Sequence, residues 1–261
     1  MFQFIANIFG YLLEWLYNGI GQNYGIALIL FTIILRIILL PLTIKQQKSM
    51  KKTTELQGKM QEIQFKYKNN PELMNKEIMD LYKRENLSPF SGCISSIVQI
   101  LIILSVFYLV SRPLTYMKKI DPGIIENYRN EISAENDGKI SNYYEIEIIQ
   151  KKAAQDENIK VNMDFLGLDL SKVPSQNMTD IKVYIIPILY VISSIFSIKM
   201  TTGKTNKKEQ NGSSQPDMTQ QMNKSMSYMM PIMAVSIAFV APLGLALYWL
   251  ISNILMILER I

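Results

Sequence analysis

The chain has no histidine and a single cysteine, Cys93. Without histidine there is no imidazole base, no histidine metal ligand and no Ser-His-Asp triad. One cysteine excludes an intrachain disulfide and a multi-cysteine zinc site. Charge is also scarce: Asp, Glu, Lys and Arg make up 19% of the 261 residues, where a soluble domain carries about 25%. No Lys or Arg occurs before Arg36. No charged residue at all occurs over the 34 positions from Ser225 to Leu258. The charges that do occur fall in blocks between apolar runs, which argues for a membrane protein and against one soluble core.

Four apolar runs stand out. Ile26–Ile44 holds one charge, Arg36, and Ile94–Val110 and Val183–Ile198 hold none. Ser225–Leu258 is too long for one span, and Ala241-Pro242-Leu243-Gly244 supplies a break that makes two. A bilayer core about 30 Å thick asks for roughly 20 apolar residues per helix, so five short spans are expected. The fold class is therefore all-α, a polytopic membrane protein with five transmembrane helices. Its expected parts are 26–44, 94–110, 183–198, 225–241 and 243–258 as spans, with 45–89 as a cytoplasmic helical hairpin. Residues 111–182 form an extracytoplasmic loop, and 199–224 a second cytoplasmic loop whose Gly/Ser/Asn-rich stretch Thr201–Asp217 is expected to be mobile. Residues 1–22 form an outer interfacial helix, on which Phe4, Ile8, Tyr11, Trp15 and Asn18 recur at helical spacing.

Orientation follows from the basic residues. Lys45–Pro89 carries ten Lys/Arg against six acids, and Lys199–Lys224 five against two. The positive-inside rule places both in the cytoplasm, with the N-terminus outside and the C-terminus inside. In the hairpin, Leu56, Met60, Ile63 and Tyr67 form one apolar seam, and Met74, Ile78, Leu81 and Tyr82 the other. Asn69-Asn70-Pro71 is the turn, with Pro71 opening the second helix. In the outer loop, short helices are expected near Gly123–Ile132 and Tyr143–Gln155. Gly203-Lys204-Thr205 looks like the end of a phosphate loop, but Ile198 stands where that loop needs glycine, so a nucleotide site is excluded.

Arg36 is the residue that does not fit. Arginine at the bilayer centre costs about 2.5–3.5 kcal/mol on insertion scales, and it cannot deprotonate. The other four runs contain no Asp or Glu, so water or another molecule is expected to answer its charge. Other polar residues fall at a similar depth. These are Thr32 and Thr43 on the helix of Arg36, Ser95, Ser96 and Gln99 on the second, and Tyr190, Ser193, Ser194 and Ser197 on the third. Tyr248, Trp249, Ser252 and Asn253 follow on the fifth. Together they suggest a polar groove open to the cytoplasm. Met218, Met222, Met226, Met229, Met230 and Met233 fall on one broad helical face, a soft surface suited to varied apolar partners. Lys59 and Lys66 of the basic hairpin are candidates for contact with ribosomal RNA or headgroups.

Read in order, these segments resemble the YidC/Oxa/Alb family of membrane protein insertases, of the Gram-positive bacterial type. The motifs are Tyr24-Gly25-Ile26-Ala27 through Arg36 to Pro41-Leu42-Thr43, Tyr67-Lys68-Asn69-Asn70-Pro71, Pro89-Phe90-Ser91-Gly92-Cys93 and the run Phe165–Lys172. Ile186-Pro187-Ile188-Leu189, Met229-Met230-Pro231 and Pro242-Leu243-Gly244-Leu245 to Tyr248-Trp249 complete the series. One departure is Gln99-Ile100-Leu101, where the family often has Gln-Met-Pro. The resemblance implies a cofactor-free, non-enzymatic insertase in the bacterial cell membrane. It would receive nascent membrane proteins with short acidic outer tails in a groove containing Arg36. Its implied partners are the ribosome, the Sec translocon, the signal recognition particle or its receptor, and membrane lipids. The alternative is a small-solute transporter or channel with Arg36 as an anion site, which predicts inverted repeats; no convincing repeat is present.

Overall fold

A computed structural model describes residues 2–85, 91–202 and 236–259. The expectations for Met222, Met226, Met229 and Met230, for the phosphate-loop-like triplet and for most of 225–241 lie outside these residues. The chain divides into two compact units, Met1–Ile34 with Ser105–Ile261, and Leu35–Leu104.

The elements are mostly helical: α1 (Phe2–Gly19), α2 (Tyr24–Glu55), α3 (Gln57–Lys66), α4 (Pro71–Arg84), α5 (Ser91–Ser111), α6 (Pro113–Tyr116), α7 (Pro122–Glu135), α8 (Tyr144–Lys152), α9 (Ile185–Thr202) and α10 (Leu243–Leu258). Two strands, β1 (Asp164–Phe165) and β2 (Leu168–Asp169), pair antiparallel. This small hairpin is a feature the all-α expectation did not contain.

In the first unit, α1 packs on α6. It buries Ala6, Gly10, Leu13, Leu16 and Tyr17 and leaves Phe4, Ile8, Tyr11 and Trp15 exposed. The approach is close: a Cβ on Gly10 would run into the Tyr116 carbonyl. Glu14, the lone charge of α1, pairs with Lys119 at 2.8 Å, and the same ammonium lies 3.0 Å from the Tyr11 ring centre. The turn into α2 needs left-handed backbone at Gly21 (φ +71°) and Gln22 (φ +54°).

The segment after α5 is a folded cap rather than a loose loop. Asp121 caps α7 by accepting from the Gly123 amide at 2.8 Å, with Pro122 at the first helical position. Ile125 and Ile132 of α7 and Ile146, Ile148 and Ile149 of α8 form its core. Lys152, nearly buried, donates to Glu131 and Glu135 at 3.0 Å each and so ties α8 to α7. The run Phe165–Lys172 then pins the start of α10. The Gly244 amide donates to the Leu170 carbonyl and the Leu243 amide to that of Lys172, both at 2.9 Å.

α9 and α10 pack along each other. On α9 the usual amphipathicity is inverted: Ser194 and Ser197 are buried, while Ile188, Leu189, Ile192, Ile195 and Phe196 are exposed. A helix in water shows the reverse pattern.

In the second unit, α3 and α4 form an antiparallel hairpin. Asn70 caps α4 by accepting from the Leu73 amide at 3.1 Å, and Pro71 follows at the first helical position. The apolar seam is thin: Leu56 is buried, Met60, Ile63, Tyr67, Met74, Ile78, Leu81 and Tyr82 are half-buried, and α4 has no fully buried residue. α2 itself does not stop near Ile44. Pro41 removes one backbone hydrogen bond, but the helix continues through Lys45, Lys48 and Lys51 to Glu55. Its stretch Tyr24–Ser49, 26 residues, is long and apolar enough to cross a membrane, and 33% of its most apolar part is buried against protein. Ile97–Ser111, Ile181–Ser197 and Leu243–Leu258 are shorter apolar stretches.

Candidate functional site

The polar residues of the third and fifth apolar runs meet in the first unit. The Asn253 side-chain amide on α10 donates to Ser193 Oγ at 2.9 Å and to Ser194 Oγ at 3.3 Å on α9. Ser193 Oγ in turn donates to the Tyr190 carbonyl at 2.9 Å. One turn away, the Tyr190 and Trp249 rings face each other with centroids 6.3 Å apart. The cluster therefore has two layers. Ser194, Ser197, Tyr248 and Asn253 are buried, and the bonds of Asn253 join the two helices. Ser193, Tyr190, Trp249 and Ser252 are half-buried, so part of each is open to whatever surrounds the helix pair. Small hydroxyls let helix backbones approach and then bond across the contact. Such a network offers hydrogen-bonding positions but no nucleophile–base pair.

Thr32 is buried, and its hydroxyl donates to the Leu28 carbonyl of its own helix at 2.7 Å. Thr43 does the same to Leu39 at 3.1 Å. Such back-bonding satisfies the hydroxyl within the helix, so these threonines act mainly on their own element. Arg36 and Gln99 belong to the second unit. Arg36 is half-buried, with Ile37 and Ile38 beside it well exposed, and Gln99 is exposed. The contacts described for the serine–asparagine cluster are all within the first unit. On the hairpin, Lys59 pairs with Glu85 at 2.9 Å, while the Lys66 ammonium lies 5.2 Å from the Tyr67 ring centre. Among the described residues no group of His, Cys, Asp and Glu could hold a metal ion.

Sequence reasoning missed Glu145. This carboxylate is fully buried in the cap and accepts from the Thr115 amide at 2.9 Å and the Thr115 hydroxyl at 2.6 Å. Burial pushes its pKa above the ordinary carboxylate range, while the bonds from Thr115 pull it down. Its partner lies 30 residues away, so local sequence carries no signal for the pair. Arg112 stacks nearby, 5.5 Å from the Tyr108 ring and 5.7 Å from that of Tyr144.

Comparison with known proteins decides the family. A family model described as the 60Kd inner membrane protein matches residues 15–261, nearly the whole chain. The chain belongs to the 60Kd inner membrane protein family. Its curated relatives bear the name "Membrane protein insertase YidC", which agrees with the YidC/Oxa/Alb motifs. The relative from Treponema denticola is 29% identical over 257 residues, covering 98% of this chain and 37% of that protein. The Fusobacterium nucleatum relative is 27% identical and covers 99% of this chain and 96% of that protein. The Oceanobacillus iheyensis relative is 28% identical, with 97% and 81% covered. The chain thus spans about a third of the length of several insertases of the 60Kd inner membrane protein family, and most of the length of others.

Proposed function

We propose that this chain is a membrane protein insertase that accepts hydrophobic client segments in a polar groove containing Arg36 and releases them sideways into lipid. The observation that carries the reading is Arg36 itself, a permanent charge in the apolar stretch Tyr24–Ser49 of a chain belonging to an inner membrane protein family. A permanent cation at that depth costs about 2.5–3.5 kcal/mol, and such a cost is retained where the charge has work to do. The inverted amphipathicity of α9 supports the same reading. It exposes aliphatic side chains to lipid and turns hydroxyls inward.

α2, α5, α9, the region 225–241 and α10 are then the five spans, with the α3–α4 hairpin in the cytoplasm and the α7–α8 cap outside. α1, with Phe4, Ile8, Tyr11 and Trp15 on its open face, lies in the outer interface. The client enters from the cytoplasm. Its short acidic tail pairs transiently with Arg36 and crosses, and its apolar helix leaves past Tyr190, Ser193, Trp249 and Ser252. Burial of the client's apolar area in lipid, about 25 cal/mol per Å², drives release, and no nucleotide is consumed by this chain. Met222, Met226, Met229 and Met230, with Lys59 and Lys66 of the hairpin, receive the client and the ribosome at the inner surface. The Sec translocon and the signal recognition particle or its receptor are the further partners of this reading.

The test is insertion of a single-span client with an acidic outer tail into vesicles holding the purified full chain. Arg36→Ala is expected to lower insertion by about tenfold or more, since losing a charge-assisted pairing of about 1.5–3 kcal/mol costs that much. Arg36→Lys retains part of it. Equal insertion by wild type and Arg36→Ala removes the groove arginine from the mechanism.

A further inference from the structure

The β1–β2 hairpin turns on Leu166 and Gly167, both with left-handed backbone, φ +54° and +76°. A two-residue turn with positive φ at both positions is the type I′ turn that normally selects Asn-Gly or Gly-Gly. Leucine at the first position is strained by its own Cβ. Nothing in the fold rewards it, because the Leu166 side chain is 86% exposed. Two residues on the segment leading into α9 share the trait: Ile181 is 82% exposed and Met178 69%.

The elements that carry Leu166 and Ile181 are tied into one frame, and the Met178 carbonyl accepts from the Tyr184 hydroxyl at 3.4 Å. The Asn23 side-chain amide donates to the Asp164 carbonyl at 2.7 Å and the Tyr24 backbone amide to that of Asn162 at 3.0 Å, so β1 is fastened to the start of α2. Phe165 packs on Gly25, leaving no room there for a Cβ. On the other side β2 touches the 3-10 turn Ile181–Tyr184, and Lys172 pairs with Asp180 at 2.7 Å. That turn runs directly into α9, whose exposed row Ile185, Ile188, Leu189 and Ile192 is continuous with Ile181 along the chain. The exposed apolar surface thus extends past the outer end of α9 onto the rim of the cap.

We propose that Leu166, Met178 and Ile181 form a membrane-seated rim that enters the acyl region of the outer leaflet and fixes the depth at which the helices sit. The occupant of this surface is lipid, because the rim continues a face of α9 that lipid covers. The inference rests on the reading of α2 and α9 as spans with Tyr24 and Ile185 near their outer ends. Lys182, beside Ile181, is then placed for the phosphates of the headgroups.

The test uses the full chain with Cys93→Ser, carrying one nitroxide-labelled cysteine at a time in place of Leu166, Ile181, Ile188 or Lys139. Each is reconstituted in vesicles of phosphatidylethanolamine and phosphatidylglycerol. Collision with dissolved oxygen, which concentrates in lipid, is compared with collision with a water-soluble nickel chelate. Positions 166 and 181 are expected to favour oxygen, 188 to favour it more strongly, and 139 to favour nickel. Oxygen preference at 188 with nickel preference at 166 overturns the rim and leaves the span intact. Nickel preference at 188 overturns the span reading and the rim with it. Protection of 166 from both reagents means that protein covers it, a second copy or a client, and also overturns the proposal. Leu166→Asn suits the turn and keeps it folded. In that background the label at 181 is expected to lose part of its oxygen preference, and no change there removes Leu166 from the rim.

Discussion

Single residues in this chain are constrained from opposite directions. Gly10 is fixed by lack of space: α1 lies so close to α6 that any Cβ meets the backbone oxygen of Tyr116, and backbone cannot rotate away as a side chain can. Gly10→Ala is expected to cost about 1–3 kcal/mol, the usual range for overpacking, read as a lower thermal midpoint in detergent. Glu145 is constrained by burial. Its folded-state pKa is raised, so the unfolded chain releases the proton at a lower pH than the folded one. The contribution of Glu145 to stability is therefore fully present below the ordinary carboxylate range near pH 4.3 and is lost as pH rises through the raised value. Hydrogen exchange of α8 amides across that range is expected to speed up with pH beyond the intrinsic chemical rate. Glu145→Gln, which cannot ionise, is expected to flatten that excess. A wild-type profile as flat as that of the variant would show that the carboxyl titrates normally. Neither constraint is legible in sequence. Gly10 reads as an ordinary helical glycine, and Glu145 as one more acid in an acidic segment.

At the scale of elements, local signals and tertiary contacts divide the work. The helices expected near Gly123–Ile132 and Tyr143–Gln155 correspond to α7 and α8, with Pro122 opening the first of them. The β1–β2 hairpin was not. Its strands are two residues each, and Leu166 disguises a turn that glycine or asparagine would have announced. The continuation of α2 past Ile44 was hidden by the change from apolar to basic sequence at Lys45, which marks the end of an apolar run and not the end of a helix. The two helical hairpins make a direct contrast. α7 and α8 share five buried isoleucines and the nearly buried Lys152, whereas α4 buries no residue fully and meets α3 through half-buried residues and the exposed Lys59–Glu85 pair. Surface ion pairs contribute about 0–1 kcal/mol, too little to replace a core. Amides of α4 are therefore expected to exchange with deuterium well before those of α7. Asn70→Ala, which removes the cap at a cost of about 1 kcal/mol, is expected to accelerate the α4 amides further and leave α7 unchanged. Equal protection of the two hairpins would mean that something besides the thin seam holds α3 to α4.

At the scale of the whole molecule, the membrane imposes a logic that composition already carried. Charge scarcity and its block pattern pointed to the bilayer, and the exposed aliphatic row on α9 supports the same reading. What composition could not give is how the polar positions are used. The serines of α9 suggest a groove by their shared depth, and the bonds from Asn253 to Ser193 and Ser194 show that part of the stripe is a seam between helices. The proposed orientation rests on asymmetry: no Lys or Arg occurs in residues 1–24, against ten in Lys45–Pro89. In the proposed orientation the hairpin is cytoplasmic, and carrying its cations across an energised membrane would oppose a potential of about 2.3 kcal/mol per charge per 100 mV. In a Cys93→Ser background, Lys139→Cys in the cap is expected to react with a membrane-impermeant maleimide on intact cells. Lys66→Cys on α3 is expected to react only after the cells are opened. Both sites are exposed in the structure, so lack of reaction cannot be assigned to burial. Labelling of Lys66→Cys on intact cells would invert the topology and place Arg36 nearer the outer face, with a groove facing away from the ribosome.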